Sequence, residues 1–253
     1  RTSVKEQKDA DGSVRVDTLI LNHPAETVQI RLTLGGTNDV LPKLKFLGLS
    51  FCNTKVTPAR LPPNRQAWGK VISTPERKQR GYPGASGWCS PTSVSMVLAR
   101  WADVLHRPGL NLSVPKVATA VYDDGYAGTG NWPFNTAFAG SLKGMRAYVT
   151  RFDNVRQLED WIVAGIPVII SARWDLLAPG RPYDPAGHLT VCIGFTKSGN
   201  FIINDPATDH RTGRVRCIYK RENVIRAWSK SHRTVYLVYP VKAKIPANRY
   251  GQW

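Results

Sequence analysis

Acidic residues are scarce in this chain. Its 253 residues include 18 Asp and Glu against 35 Lys and Arg, a formal charge of +17. An imbalance of this size suits an anionic surrounding, whether nucleic acid, a membrane surface or an acidic cell-wall polymer, and it also aids solubility. Long apolar runs are missing as well, which excludes a helix of about 18 or more apolar residues crossing a membrane. Cysteine is sparse: Cys52, Cys89, Cys192 and Cys217, with no CxxC and no metal-ligand spacing. That count excludes a disulfide-built scaffold, and no metal or cofactor is implied. The sequence leaves a Cys52–Cys217 disulfide open, and Cys192 in its apolar run reads as a small buried hydrophobe. Repeats and low-complexity tracts are absent. The chain opens at Arg1 with neither methionine nor a signal-like apolar stretch, which is expected of a processed or trimmed chain.

What is present is ordinary globular composition, 42% hydrophobic and 21% charged, enough for one substantial core. In residues 1–57, Val14, Val16, Thr18 and Ile20, then Val28, Ile30, Leu32 and Leu34, alternate with polar residues at the period of half-buried strands. Asn22-His23-Pro24 and Gly35-Gly36 punctuate them as turns, and Leu44–Phe51 reads as a further strand. This predicts a small β unit over 1–57, the remnant of a β-sandwich domain. Residues 58–74, proline-rich over Pro58–Pro63, predict an extended linker. Over 75–241 the pattern predicts helices near 90–104, 114–122, 154–164 and 220–229. Strands are predicted near 145–151, 166–172, 188–195, 200–205, 214–219 and 234–239. Helices preceding a largely antiparallel run of strands predict an α+β domain, with 242–253 as a tail.

Three residues carry chemistry. Gly87-Trp88-Cys89-Ser90-Pro91-Thr92-Ser93 runs directly into the apolar helical pattern of Val94, Met96, Val97, Leu98 and Trp101, so Cys89 falls in the first turn of a buried helix. The unpaired N–H groups and partial positive charge of a helix start favour thiolate, the nucleophilic form. His188 opens an apolar strand behind Gly187, where its ring can act as base and acid toward the sulfur. Asp205 ends the next strand, placed to orient the imidazole. Cys, His and Asp in this order are the parts of a thiol hydrolase. Trp88, beside the nucleophile, and Trp132, in the irregular block Gly128–Asn135, are candidate walls of a substrate cleft, with Phe134 read instead as capping the core.

These residues, with Gln79 upstream, resemble papain-like bacterial cysteine peptidases. The closest pattern is cysteine peptidase family thirty-nine, the double-glycine leader peptidases, and their stand-alone secreted-type relatives. The resemblance spans about residues 75–240 and leaves out the N-terminal strands. It implies a papain-like α+β fold, with the Cys helix on a mainly antiparallel sheet carrying His and Asp, and amide hydrolysis through a thioester. It also implies that Gln79 and the Cys89 N–H hold the oxyanion, although the spacing from Gln79 to Cys89 is longer than usual. Ser90 stands where glycine usually follows the nucleophile, and so is placed beside the substrate backbone.

The reading is therefore a Cys89–His188–Asp205 cysteine peptidase acting on peptide, isopeptide or related amide bonds. A non-catalytic peptide- or wall-binding module on the same fold, and an acyltransferase or transglutaminase-like enzyme, are the competing classes. The expected partners are a peptide or protein substrate and an anionic cell-wall polymer, and the expected location is extracellular or in a bacterial cell envelope. Asp123-Asp124-Gly125 lacks the remaining ligands of a calcium loop and reads as a turn. The basic span Arg211–Arg233, with His210 beside it, carries no recognised nucleic-acid-binding motif, and a nucleic-acid partner is not expected.

Overall fold

The helix Cys89–Val104 (α1) is the centre of the molecule, and nearly every residue from Ser90 to Ala102 is buried. A helix covered all round must also satisfy the polar side chains it buries. Ser90 Oγ shares a hydrogen bond with Tyr236 Oη at 2.9 Å, and Ser93 Oγ donates to Leu189 O at 3.0 Å. Trp101 Nε1 donates to Val238 O at 2.9 Å. Small hydroxyl residues thus let α1 lie close against the sheet and bond to it at several points. The computed structural model describes residues 5–35, 43–57, 61–208, 212–249, 251 and 253. Gly36, Pro58, His210 and Arg211, all read above, lie outside these.

Beyond α1 the chain runs through Val114–Ala120 (α2), Trp132–Ser141 (α3), Met145–Arg151 (β3), Val155–Val163 (α4), Val168–Arg173 (β4) and Gly187–Phe195 (β5). Phe201–Asn204 (β6), Arg216–Tyr219 (β7), Arg221–Ser229 (α5) and Thr234–Pro240 (β8) complete it, after an N-terminal hairpin of Gly12–Arg15 (β1) and Thr18–Leu21 (β2). The six strands β3 to β8 form one antiparallel sheet in the order β3-β8-β4-β5-β6-β7. Residue parity fixes its two faces. Tyr236 on β8 meets Ser90 of α1, whereas Tyr239, of opposite parity, packs its ring 5.4 Å from Trp161 of α4. The fold is the expected α+β arrangement of a Cys-bearing helix on an antiparallel sheet.

Four expectations need correction. The alternating residues 28–34 and the apolar stretch 44–51 form no strand, and their apolar side chains are exposed. Among the described residues no partner strand reaches them, and an extended segment without a ladder is not a sheet. The expected linker is folded from Asn64 onward. Asn64 N–H and Trp68 Nε1 donate to the buried carboxylate of Glu159, which also receives Arg221, and Val71 bridges to Gly194 on β5. The expected tail packs too, with the Trp253 ring 5.4 Å from Phe152 and 5.6 Å from Trp161. The irregular block at 128–135 contains the start of α3, capped by Asn131. The disulfide question left open above is answered by Cys52 and Cys217, which are both free thiols.

Candidate active site

Cys89 is the first residue of α1 and is partly exposed. The chain reaches it through Gly84, in the left-handed region at φ 75°, and a single 3-10 turn at Ala85–Gly87. Burial pushes the Cys89 thiol up. The hydrogen bond and charge of His188, with the backbone N–H groups of Leu189 and Ser90, outweigh it and leave the thiol below its ordinary 9.0. The helix start expected from sequence thus acts through a specific amide, that of Ser90.

His188 enters from the start of β5, opposite Ala172 of β4 in the register. It is 5% exposed, with Nε2 2.6 Å from Asp205 Oδ1, so Nδ1 is the ring nitrogen left for the sulfur. Burial alone would lower the imidazole. The charge and hydrogen bond of Asp205, joined by those of Cys89, push it up from 6.5 to about 10. Asp205, just past the end of β6, has no exposed surface. Its Oδ1 also accepts from the Ala207 N–H at 3.0 Å, and its Oδ2 accepts from Tyr219 Oη at 2.7 Å and Arg181 Nη2 at 3.3 Å. Burial would raise this carboxyl, but His188, Arg181 and Tyr219 bring it down from 3.8 to about 2. The three residues named from sequence are therefore brought together, His188 hydrogen-bonded to Asp205 and acting electrostatically on the Cys89 sulfur.

Gln79, 6% exposed, is carried to the same region although ten residues separate it from Cys89. Its backbone N–H donates to Pro206 O at 2.9 Å, and its Nε2 donates to Ser86 O at 3.1 Å. The extra residues fold over it as the turn before α1. Trp88 is half-buried and stacks on Tyr82 at 5.9 Å. Ser90 departs from expectation, because its hydroxyl is buried against Tyr236 and only its backbone N–H faces the sulfur. Trp132 and Phe134 also exchange roles. Trp132 packs partly against the core, while Phe134 is 43% exposed. Asp123 accepts from Tyr126 N–H and from Asn131 Nδ2, the turn expected of it, and no cluster fit for a metal occurs among the described residues.

Arg181 and Tyr219 were not legible as site residues. Tyr219 has a faint signal in its inward parity on β7. Arg181 sits between Gly180 and Pro182 in a connection without periodicity, and only folding brings it to Asp205.

The chain is similar to two family models. The Peptidase C39-like family matches residues 70–236, about two thirds of the chain, and the Peptidase C39 N-terminal domain matches residues 1–51. No curated protein matches it. Among solved structures, a protein from Bacillus anthracis described as a candidate C39-like peptidase aligns with a TM-score of 0.51 at 19% identity, over 70% of this chain and all of that one. That likeness bears on the fold alone. A family match spanning the Cys helix, the His strand and the Asp turn is decisive for descent, and the chain belongs to the Peptidase C39-like family.

Proposed function

We propose that this protein is a cysteine peptidase that cleaves peptide or isopeptide bonds through a thioester on Cys89. One observation carries the reading: a helix-start sulfur whose ionisation is favoured by an imidazole that lies 2.6 Å, through Nε2, from a buried carboxylate. The Cys89 thiolate attacks the scissile carbonyl carbon, forming the S–C bond. The developing oxyanion lies between the Cys89 N–H, which has no acceptor within the helix, and the second N–H of Gln79 Nε2. Collapse breaks the C–N bond, and the His188 imidazolium gives its proton to the departing amine. Neutral His188 then takes a proton from water, the hydroxide displaces the sulfur, and the carboxylic acid product leaves with the thiolate restored.

Trp88 and the loop before α3 flank the nucleophile, since Thr129 Oγ1 donates to Gly87 O, and they are the proposed walls of the substrate cleft. The proposal extends to place. A charge of +17 suits work at an anionic cell envelope, outside the cytoplasm.

Cys52 is exposed, so the test uses a Cys52→Ser background. Incubation with a peptide pool and iodoacetamide should yield cleaved peptides and Cys89 as the modified residue by mass spectrometry. Cys89→Ala should remove both. Cleavage that survives Cys89→Ala would overturn the nucleophile. Product that forms only with added amine would reassign the chemistry to acyl transfer, and binding without turnover would reassign the protein as a recognition module.

A further inference from the structure

Charge alternates beyond the three catalytic residues. The Asp205 carboxylate faces His188 through Oδ1 and, through Oδ2, the guanidinium of Arg181 at 3.3 Å, and both side chains of that second pair are wholly buried. Arg181 is itself fixed. Its Nη1 donates to Trp174 O at 3.0 Å, its Nη2 donates to Tyr219 Oη at 2.6 Å, and its plane lies 4.4 Å from the Trp174 ring centroid. Tyr219 passes the contact on, donating to the same Oδ2 at 2.7 Å. In the triad reading, sulfur, imidazole, carboxylate and guanidinium thus follow one another as thiolate, imidazolium, anion and cation. Cys217, beside Tyr219, is a further titratable group on this side.

Burying a permanent cation is costly without a reason to hold it there. The reaction cycle supplies one. His188 is charged before attack but neutral when it activates water, and a carboxylate whose only countercharge was the imidazolium would resist that second state. We propose that Arg181 is a positioning residue, the permanent countercharge of Asp205. With the Tyr219 hydroxyl, it keeps the carboxylate ionised and aimed at His188 whether or not the ring carries its proton. The inference rests on the triad reading above.

The test follows the rate of Cys89 alkylation by iodoacetamide against pH in a Cys52→Ser background. Wild type should show thiolate reactivity below pH 9.0, with a second limb where His188 loses its proton. Arg181→Gln removes a nearby positive charge, which favours protonated forms, so both limbs should move up, the His188 limb by about one pH unit. Arg181→Lys should restore them. Tyr219→Phe, which keeps the charge, should leave them in place while slowing turnover of any cleaved peptide. Unmoved limbs in folded Arg181→Gln would overturn the inference. An ordinary thiol titration in the wild type would instead overturn the triad reading itself. Should Arg181→Gln not fold, carbon-13 spectra of His188→Gln decide. Asp205 should stay ionised there at pH 5 without the imidazolium, and a protonated Asp205 would overturn the role.

Discussion

The sulfur of Cys89 is governed by opposing influences that mutation can separate. Burial disfavours the thiolate, while His188 and the Leu189 and Ser90 amides favour it. His188→Gln removes the largest favourable group and leaves burial in place. The alkylation rate at pH 7 should therefore fall by at least about tenfold as the thiol rises toward or past 9.0. A rate within twofold of wild type would show that the amides alone hold the thiolate. Ser90 teaches the same lesson of environment. Its position beside Cys89 made it a candidate for substrate contact, yet its hydroxyl faces Tyr236 in the core. Tyr236→Phe strands that hydroxyl and should cost about 1–3 kcal/mol of stability, read from urea unfolding.

Among the elements, the site depends on how α1 and the strand carrying His188 are tied. Ser93 Oγ to Leu189 O crosses from the helix to β5 one residue past His188. Ser93→Ala should cost about 1 kcal/mol in urea unfolding and lower kcat/KM more than a distant substitution of equal cost, because Cys89 and His188 sit on the two tied elements. The other side of β5 is closed by the segment read as linker. A Cβ at Gly194 would lie 2.1 Å from Lys70 O and 2.9 Å from Val71 Cα. Gly194→Ala should therefore push that segment away and destabilise the protein by about 1–3 kcal/mol. Periodicity failed in two informative places. Residues 28–34 have a strand's pattern without a strand's partner among the described residues. Conversely, α3 hid behind Gly128 and Gly130, although Asn131 followed by Pro133 is the signature of a helix start.

For the whole molecule, the buried chain of charges is also a contribution to stability that depends on pH. The Asp205 carboxyl is depressed from 3.8 to about 2, so its contribution is complete above 3.8 and is lost as pH falls through about 2. Urea midpoints of wild type should drop more steeply across that window than those of Asp205→Asn, and parallel curves would place the acid sensitivity elsewhere. How much of this was readable follows from the range of each signal. Helix and strand periods, the apolar run after Cys89 and the glycine before His188 are local, so the sequence by itself determined the α+β class, all six strands of the main sheet to within two residues, and the order of Cys89, His188 and Asp205 along the elements. The partners of those groups are not local. Arg181 lies 24 residues from Asp205 along the chain and Tyr236 lies 146 from Ser90, and no periodicity links them. Only the tertiary structure decided that Gln79 folds back beneath its long turn, that residues after Asn64 belong to the domain, and that the carboxylate behind the imidazole has a second cation. The reason is physical: a side chain's type fixes what it can bond, but burial and long-range packing fix what it does bond.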